Sequence, residues 1–321
     1  MLQIKKILYP TDFSSCSREA LTHAIVFAEH YNAELHMLHV TTVDENFPYQ
    51  KGLSFEGHFE NPMELTNRAR QIAESELSTL VNDNQEKPLQ IIEVVKQDEH
   101  AALAIIDYAQ QNDIDLITMG THGWRGTARF FLGSVTEEVT RRSPCPLFTL
   151  REARSRHIEE TEPEPIHKMG KILVPIDFSE HSHFALSHAK ELAALYGGTI
   201  QLVHVVERFF LPEFYDKIVS YIQPGSQNEL LKASAEILHD TMKRIPGPEV
   251  PYEVHALSGR VVPSLMEFAE ENQSDMIVVA THGLTSLENT IFGSTAEQLI
   301  RKAPCPVFTV KSFGRKIFKD Q

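Results

Sequence analysis

Short apolar runs alternate with longer amphipathic stretches along this chain. In the first half, the apolar runs at residues 7–9 and 34–40 predict buried strands, and residues 15–31 between them carry alanines at helical spacing. The alternation continues through predicted helices at 61–81, 99–110 and 134–142 and predicted strands at 89–95, 115–119 and 146–150. Strands that alternate with helices indicate parallel pairing through right-handed crossovers. The pattern therefore predicts an α/β fold.

The two halves of the chain carry the same motifs in the same order. The segment KILYPTDFS, which begins at Lys6, returns as KILVPIDFS from Lys171. GTHG at 120–123, Gly-Ser at 133–134 and Pro-Cys-Pro at 144–146 return at 280–283, 293–294 and 304–306, with Ala280 in place of Gly120. A repeat of this length predicts two copies of one domain rather than a solenoid.

The repeat sets the domain bounds. We predict a first domain at 1–153, a linker at 154–168, a second domain at 169–312 and a basic tail at 313–321. The linker is charged and contains prolines, a composition that cannot bury enough apolar surface to fold alone. In the second domain, strands are predicted at 171–175, 199–205, 252–256, 276–279 and 306–310.

Composition narrows the class of protein. A hydrophobic fraction of 42% indicates a globular protein, and a net charge of −14 argues against binding to nucleic acid or to anionic membranes. The start of the chain runs into a predicted strand, and no apolar stretch is long enough to span a bilayer. The three cysteines, Cys16, Cys145 and Cys305, do not form a disulfide pattern, and the last two suit core packing. We expect a reduced, cytoplasmic protein.

The candidate chemistry lies where the first-half strands end. In a doubly wound sheet, ligands bind beyond the carboxyl ends of the strands. Asp12 follows the first predicted strand, Val40 ends the second, and a glycine loop after the fourth leads to Gly133-Ser134 at a helix start. Glycines let the backbone approach a phosphate, and a helix N-terminus attracts anions. Arg125 and Arg129 in the loop add positive charge, so the pattern predicts an anion site.

The glycine spacing Gly-x2-Gly-x9-Gly-Ser, together with Pro10-Thr-Asp12 and the Pro-Cys-Pro strand entry, resembles the ATP-binding signature of the universal stress protein family. The resemblance covers nearly the whole chain, twice. It implies two tandem Rossmann-like domains, each with a five-stranded parallel sheet in the order 3-2-1-4-5 and helices on both faces. It also implies an intramolecular pseudo-dimer in which the two Pro-Cys-Pro edge strands pair, while association into a homodimer stays open.

The resemblance further implies ATP as the ligand, with an accompanying Mg²⁺ left open. Asp12 and the Val40 backbone would hold adenine, and Gly120 would face the ribose. The phosphates would be held by Gly123, Gly133, Ser134, Val135 and Thr136. His122 could contact phosphate or only hydrogen-bond the loop. The implied ATP contacts of the first domain are Pro10, Thr11, Asp12, Val40, Gly120, His122, Gly123, Arg125, Arg129, Gly133, Ser134, Val135 and Thr136.

The second copy departs from the pattern on its phosphate side. Ala280 would crowd a ribose or strain a turn that needs positive φ. Leu284 and Asn289 replace the two arginines, and Glu288 adds a negative charge. We expect a weak site there, and whether it takes AMP, a lipid-like ligand or nothing stays open. Its implied contacts are Asp177, Val205, Gly283, Gly293 and Ser294.

Function follows as an expectation. The chain has no Gly-x4-Gly-Lys-Ser/Thr loop, so it is not a P-loop hydrolase. We expect an ATP-binding regulatory protein of the stress response, with no catalytic residue assigned. One alternative is a slow ATPase, and another is a scaffold or hydrophobic-ligand carrier that uses the aromatic stretch at 206–231. The histidines at 181, 183 and 188 lack the partners of a zinc site, so no metal site is expected.

Overall fold

The computed structural model describes residues 2–42, 62–82, 89–121, 132–151, 169–207, 225–281 and 293–311. These residues divide close to position 152 into two compact units, which correspond to the two halves of the chain. The predicted linker at 154–168, the predicted tail at 313–321 and most of the aromatic stretch at 206–231 lie outside the described residues.

The first half alternates strands and helices along its described residues. Its elements are β1 (Lys6–Pro10), α1 (Ser15–Tyr31), β2 (Glu34–Thr41), α2 (Pro62–Asn82), β3 (Ile91–Gln97), α3 (Ala101–Gln111), β4 (Leu116–Gly120), α4 (Ser134–Arg142) and β5 (Leu147–Leu150). The strands pair in parallel in the order β3-β2-β1-β4-β5. The predicted fold class and strand order are confirmed for this half.

The second half repeats the arrangement. Its elements are β6 (Lys171–Pro175), α5 (Glu180–Tyr196), β7 (Thr199–Glu207), α6 (Gly225–Arg244), β8 (Tyr252–Gly259), α7 (Val261–Glu271), β9 (Met276–Ala280), α8 (Ser294–Lys302) and β10 (Val307–Val310). The order within this half is β8-β7-β6-β9-β10, again parallel throughout. The pairing of the two Pro-Cys-Pro strands as a pseudo-dimer stays a prediction.

Helix bounds follow from local capping. Ser14 caps α1 by accepting a hydrogen bond from Ser17, and Asn32 ends the helix in the left-handed conformation at φ 50°. Ser179 and Gly197 do the same for α5. Because these signals are local, the predicted bounds of α1 are the observed ones. The predicted bounds of α4 are also confirmed, although its N-cap, Gly133, makes no side-chain hydrogen bond.

Three strands, β3, β7 and β8, extend at least two residues past their predicted ends. Strand β3 begins and ends two residues later than predicted, and β8 continues three residues further, to Gly259. In both cases pairing with the neighbouring strand continues past the apolar run, to Gln97 opposite Thr41 and to Gly259 opposite Glu207. Backbone hydrogen bonds hold such residues in a strand whatever their side chains, so the apolar pattern underestimates the length.

The central strands are buried as a parallel sheet requires. Residues 7–9 of β1 are fully buried, and Cys145 packs in an apolar cluster with Leu8, Ile117 and Val139. All three cysteines are buried free thiols, and the core packing predicted for Cys145 and Cys305 is confirmed. Among the helices of the described residues, none is long and apolar enough to cross a membrane.

Candidate functional site

The turn after β1 fixes the Asp12 carboxylate. One oxygen, Oδ1, accepts hydrogen bonds from the Ser14 backbone N–H at 3.1 Å and from the Ser14 hydroxyl at 2.6 Å. The Ser14 hydroxyl also accepts from the Ser17 N–H at 3.2 Å, as the N-cap of α1. The carboxylate is half-buried. It therefore has a defined orientation at the carboxyl end of β1, where the sequence placed it.

Thr11 is held by the protein at each of its polar groups. Its N–H donates to the Leu38 carbonyl at 2.8 Å, and its carbonyl accepts from His39 Nδ1 at 2.8 Å. Its hydroxyl oxygen accepts from the Phe13 N–H at 3.0 Å and from the Tyr9 hydroxyl at 3.1 Å, and burial raises the pKa of Tyr9. Although the resemblance implied an ATP contact here, the Thr11 side chain links buried parts of the turn.

Phe13 and His39 form a stacked pair beside Asp12. Their ring centroids lie 4.7 Å apart with an interplanar angle of 26°, and Phe13 has a φ of 63°. Burial lowers the pKa of His39, against the opposing effects of the Thr11 carbonyl and the Asp12 charge. The sequence places His39 beside Val40 at the end of the second strand, as a packed or hydrogen-bonded histidine, but it does not predict the stacking on Phe13. The available signal was that both residues recur in the second half.

Val40 lies near the end of β2, the strand next to β1. The pairing of Pro10 with Leu38 brings the ends of these strands to the same edge of the sheet. The Val40 side chain is half-buried and packs against the apolar cluster that contains Leu8. Its position matches the predicted place of a backbone contact beside Asp12.

Gly120 is glycine because α1 passes too close for a side chain. A Cβ there would lie 2.9 Å from Cys16 Sγ and 3.0 Å from the Cys16 carbonyl carbon. Its φ is not in the left-handed region, so of the two alternatives given for this position, a crowded ribose or a turn that needs positive φ, the second is wrong. Whether a ribose faces Gly120 stays a prediction.

The first turn of α4 is tied to the end of β4. The Thr136 hydroxyl donates to the Gly120 carbonyl at 3.0 Å, and the Gly133 N–H donates to the Thr121 carbonyl at 2.9 Å. Gly133 is the N-cap and supplies no side-chain cap, while Ser134 is exposed and Val135 half-buried. This helix start therefore presents backbone N–H groups of the kind that bind anions. Thr136 itself is buried and serves as the tie.

The glycine loop of the first half, with His122, Gly123, Arg125 and Arg129, lies outside the described residues, as does Gly283 in the second half. The roles predicted for these residues stay predictions.

The second half reproduces the turn around the aspartate, except for the hydroxyl group of Thr11. Asp177 Oδ1 accepts from Ser179 N–H at 3.0 Å and from its hydroxyl at 2.6 Å. Phe178, at φ 63°, packs 4.5 Å from His204, and His204 Nδ1 bonds the Ile176 carbonyl at 2.7 Å. However, Ile176 has no hydroxyl to match Thr11.

The phosphate side of the second half keeps part of the first-half geometry. The Gly293 N–H donates to the Thr281 carbonyl at 2.7 Å, and Ser294 is exposed at the start of α8. Ala296 stands where Thr136 ties α4 to β4, so that hydroxyl link is absent here. Val205, the counterpart of Val40, is buried. The second half thus repeats the turn around the aspartate, whereas its helix start lacks the side-chain hydrogen bond to the preceding strand.

The histidines of α5 do not gather into a metal centre. His188 is fully buried, its Nδ1 lies 2.9 Å from the Phe184 carbonyl, and burial lowers its pKa to about 4. Within the described part of the chain, no group of three or more metal-ligating side chains comes together. His188 is a core residue of α5.

Each half of the chain also matches a known protein family. The sequence profile of the universal stress protein family matches residues 3–151 and again residues 169–311. This chain belongs to the universal stress protein family. It is a tandem member, because each half matches the family profile separately.

Two relatives of this universal stress protein each match about half of the chain. Universal stress protein MJ0531 of Methanocaldococcus jannaschii is 34% identical over 151 residues, which are 47% of this chain and 84% of the relative. Universal stress protein A homolog 1 of Coxiella burnetii is 36% identical over 143 residues, 43% of this chain and 94% of the relative. A crystal structure from Archaeoglobus fulgidus covers 96% of this chain and 99% of its own at a TM-score of 0.64 and 22% identity, which shows the shared fold.

Proposed function

We propose that this universal stress protein binds ATP in its first half and that occupancy of the site changes a conformation or a partner surface in a stress response. The observation that carries the proposal is the placement of two complementary groups at one edge of the sheet. The oriented Asp12 carboxylate follows β1, and the uncapped first turn of α4 is tied to the end of β4. Strands β1 and β4 are parallel neighbours, so both groups face the same edge.

The chemistry of these groups suits the two ends of an adenosine phosphate. A carboxylate accepts hydrogen bonds from an amino group such as that of adenine. Backbone N–H groups at a helix start bind phosphate, aided by the helix dipole. Arg125 and Arg129 would add positive charge on the phosphate side. Mg²⁺ enters the proposal only as an ion that accompanies the nucleotide.

The second half is proposed to contribute little to this affinity. Its helix start lacks the Thr136 tie, and its loop sequence has Glu288 and no counterpart of the two arginines. One added anion near a triphosphate opposes binding by Coulomb repulsion that a polar surface only partly screens. Any binding by Asp177, Val205, Gly283, Gly293 and Ser294 is therefore expected to favour a ligand with fewer phosphates.

The test counts nucleotide bound by purified protein. Freshly purified protein is denatured, and the released nucleotide is identified and quantified by chromatography. Titration calorimetry with ATP, ADP, AMP and cAMP, with and without Mg²⁺, then gives affinities. We expect about one equivalent of ATP or ADP per chain. Two equivalents would contradict a single working half, and no bound nucleotide with no binding at millimolar ATP would refute the proposal.

The variant Ser134→Asp tests the helix start without a risk to the fold. A carboxylate at the first position of α4 is favourable for the helix dipole, so stability should hold. The same charge would repel a bound phosphate, and we expect at least a tenfold loss of ATP affinity, equivalent to about 1.4 kcal/mol. Ser294→Asp places the same charge at the same position of α8 and measures how much the second half contributes to ATP binding. Equal losses from both variants would contradict the assignment to the first half.

The same preparations test the alternative of a slow ATPase. Phosphate release by the wild type that falls in Ser134→Asp, in proportion to lost binding, would show that this site hydrolyses ATP. Phosphate release that does not fall with ATP binding would not come from this site.

A further inference from the structure

The same strained turn is built twice in this chain. In each half a phenylalanine, Phe13 or Phe178, has a φ of 63° directly after the aspartate of the turn. The left-handed region is unfavourable for a residue other than glycine. Strained backbone persists where its surroundings hold it, and it concentrates at functional sites. Among the described non-glycine residues with positive φ, the other three are Asn, Asp and Gln, so an aromatic residue in this conformation is the unusual feature of the turn.

In the first half, His39 holds this turn from the neighbouring strand in two ways. Its Nδ1 lies 2.8 Å from the Thr11 carbonyl, so Nδ1 carries the proton and donates, because a carbonyl can only accept. Its ring stacks on Phe13 at 4.7 Å. His39 therefore contacts the residues on both sides of Asp12 in the sequence.

The residue held between these contacts is the one proposed to bind the base. The Asp12 carboxylate direction depends on the backbone of the turn, since its Oδ1 accepts two hydrogen bonds from Ser14, the residue after Phe13. Relaxation of Phe13 out of the left-handed region would move Ser14 relative to Asp12. A carboxylate that can rotate loses the preorganisation that favours one ligand geometry.

We propose that His39 is a positioning residue of the nucleotide site, acting through the Thr11 carbonyl and the Phe13 ring to hold Asp12 in its binding orientation. This inference rests on the proposed function. It assigns no ligand contact to His39 itself. The assignment distinguishes His39 from a core histidine, whose loss would affect stability alone.

Two substitutions separate the two contacts of His39. His39→Phe keeps a ring that can stack on Phe13 but removes the donor to Thr11. His39→Asn keeps an N–H donor close to the position of Nδ1 but removes the ring. ATP affinity is measured by titration well below the unfolding temperature. We expect it to fall about tenfold in His39→Phe and to stay within about threefold of the wild-type value in His39→Asn.

A double-mutant cycle with Asp12→Asn shows whether His39 acts through Asp12. If it does, His39→Phe lowers the remaining affinity of the Asp12→Asn protein by less than threefold. A full tenfold loss on that background would overturn the inference, because His39 would then act independently of the carboxylate. His204→Phe makes the same change in the second half and should leave first-half affinity within twofold.

A further variant covers the case in which His39→Phe does not fold. Phe13→Gly permits the left-handed conformation without strain, so the urea midpoint should be largely preserved. Glycine also adds backbone freedom that phenylalanine lacks, so the turn can relax even with the Thr11 bond in place, and ATP affinity should fall about tenfold. Unchanged ATP affinity in Phe13→Gly and in a folded His39 variant would overturn the inference while the wild type still binds. A wild type that binds no nucleotide would refute the proposed function and, with it, this inference.

Discussion

The close approach of α1 to β4 makes Gly120→Ala the most informative single substitution at the site. An added Cβ would lie 2.9 Å from Cys16 Sγ, 3.0 Å from the Cys16 carbonyl carbon and 3.1 Å from its oxygen. Two of these atoms belong to the backbone of α1 and cannot rotate away. Either the helix or the strand must therefore shift.

The magnitude follows from two opposing effects. Overpacking of a well-packed core typically costs about 1–3 kcal/mol. Replacing glycine with alanine also restricts the unfolded chain, which stabilises the fold by up to about 1 kcal/mol. We expect a net loss of about 1–2 kcal/mol in the free energy of unfolding. Because the Gly120 carbonyl accepts the Thr136 bond, the start of α4 should move and ATP affinity should fall as well.

Urea unfolding followed by far-UV circular dichroism measures the stability change. In the Gly120→Ala background, Cys16→Ala removes the 2.9 Å contact but leaves both backbone contacts, so it should restore less than half of the loss. Ala280→Gly is the matched control, because it removes a methyl group in the second half and creates no new contact. A Gly120→Ala protein as stable as the wild type would refute the reasoning.

Two further predictions concern protonation and thiol chemistry. Burial lowers the pKa of His188 to about 4, below the value of about 6.5 in the unfolded chain, so stability is complete above pH 6.5 and is lost as the pH falls towards 4. Between pH 7 and pH 5 the loss in the free energy of unfolding amounts to about 2 kcal/mol. Urea unfolding should detect this loss in the wild type and not in His188→Leu. An equal loss in both proteins would contradict the assignment to His188. Burial also raises the pKa of the Cys305 thiol to about 12, and all three cysteines are buried, so DTNB should react with them only in concentrated urea. A fast-reacting thiol in the folded protein would contradict this burial.

Local signals in the sequence determined much of the fold. Ser14 and Asn32 cap α1 through bonds to residues within a few positions, so the sequence alone places that helix. The alternation of apolar runs and amphipathic stretches likewise indicated parallel strands joined by helices. The strand order came with the family resemblance, since spacing by itself does not say which strands pair. The edge strands β3 and β8 were misjudged because their ends are held by neighbouring strands rather than by apolar side chains.

Some features of the candidate site were likewise predictable from the sequence, and others required the tertiary structure. The sequence by itself placed Asp12 and the start of α4 where strands end, because turn and helix-start chemistry is local. Only the tertiary structure decided that Thr136 and Thr11 turn inward, and that Gly120 is glycine because of Cys16. It also showed that His39 holds the strained turn at Phe13. These roles depend on contacts between segments far apart in the chain, which close packing of α1, β2 and β4 brings together and which no local pattern encodes.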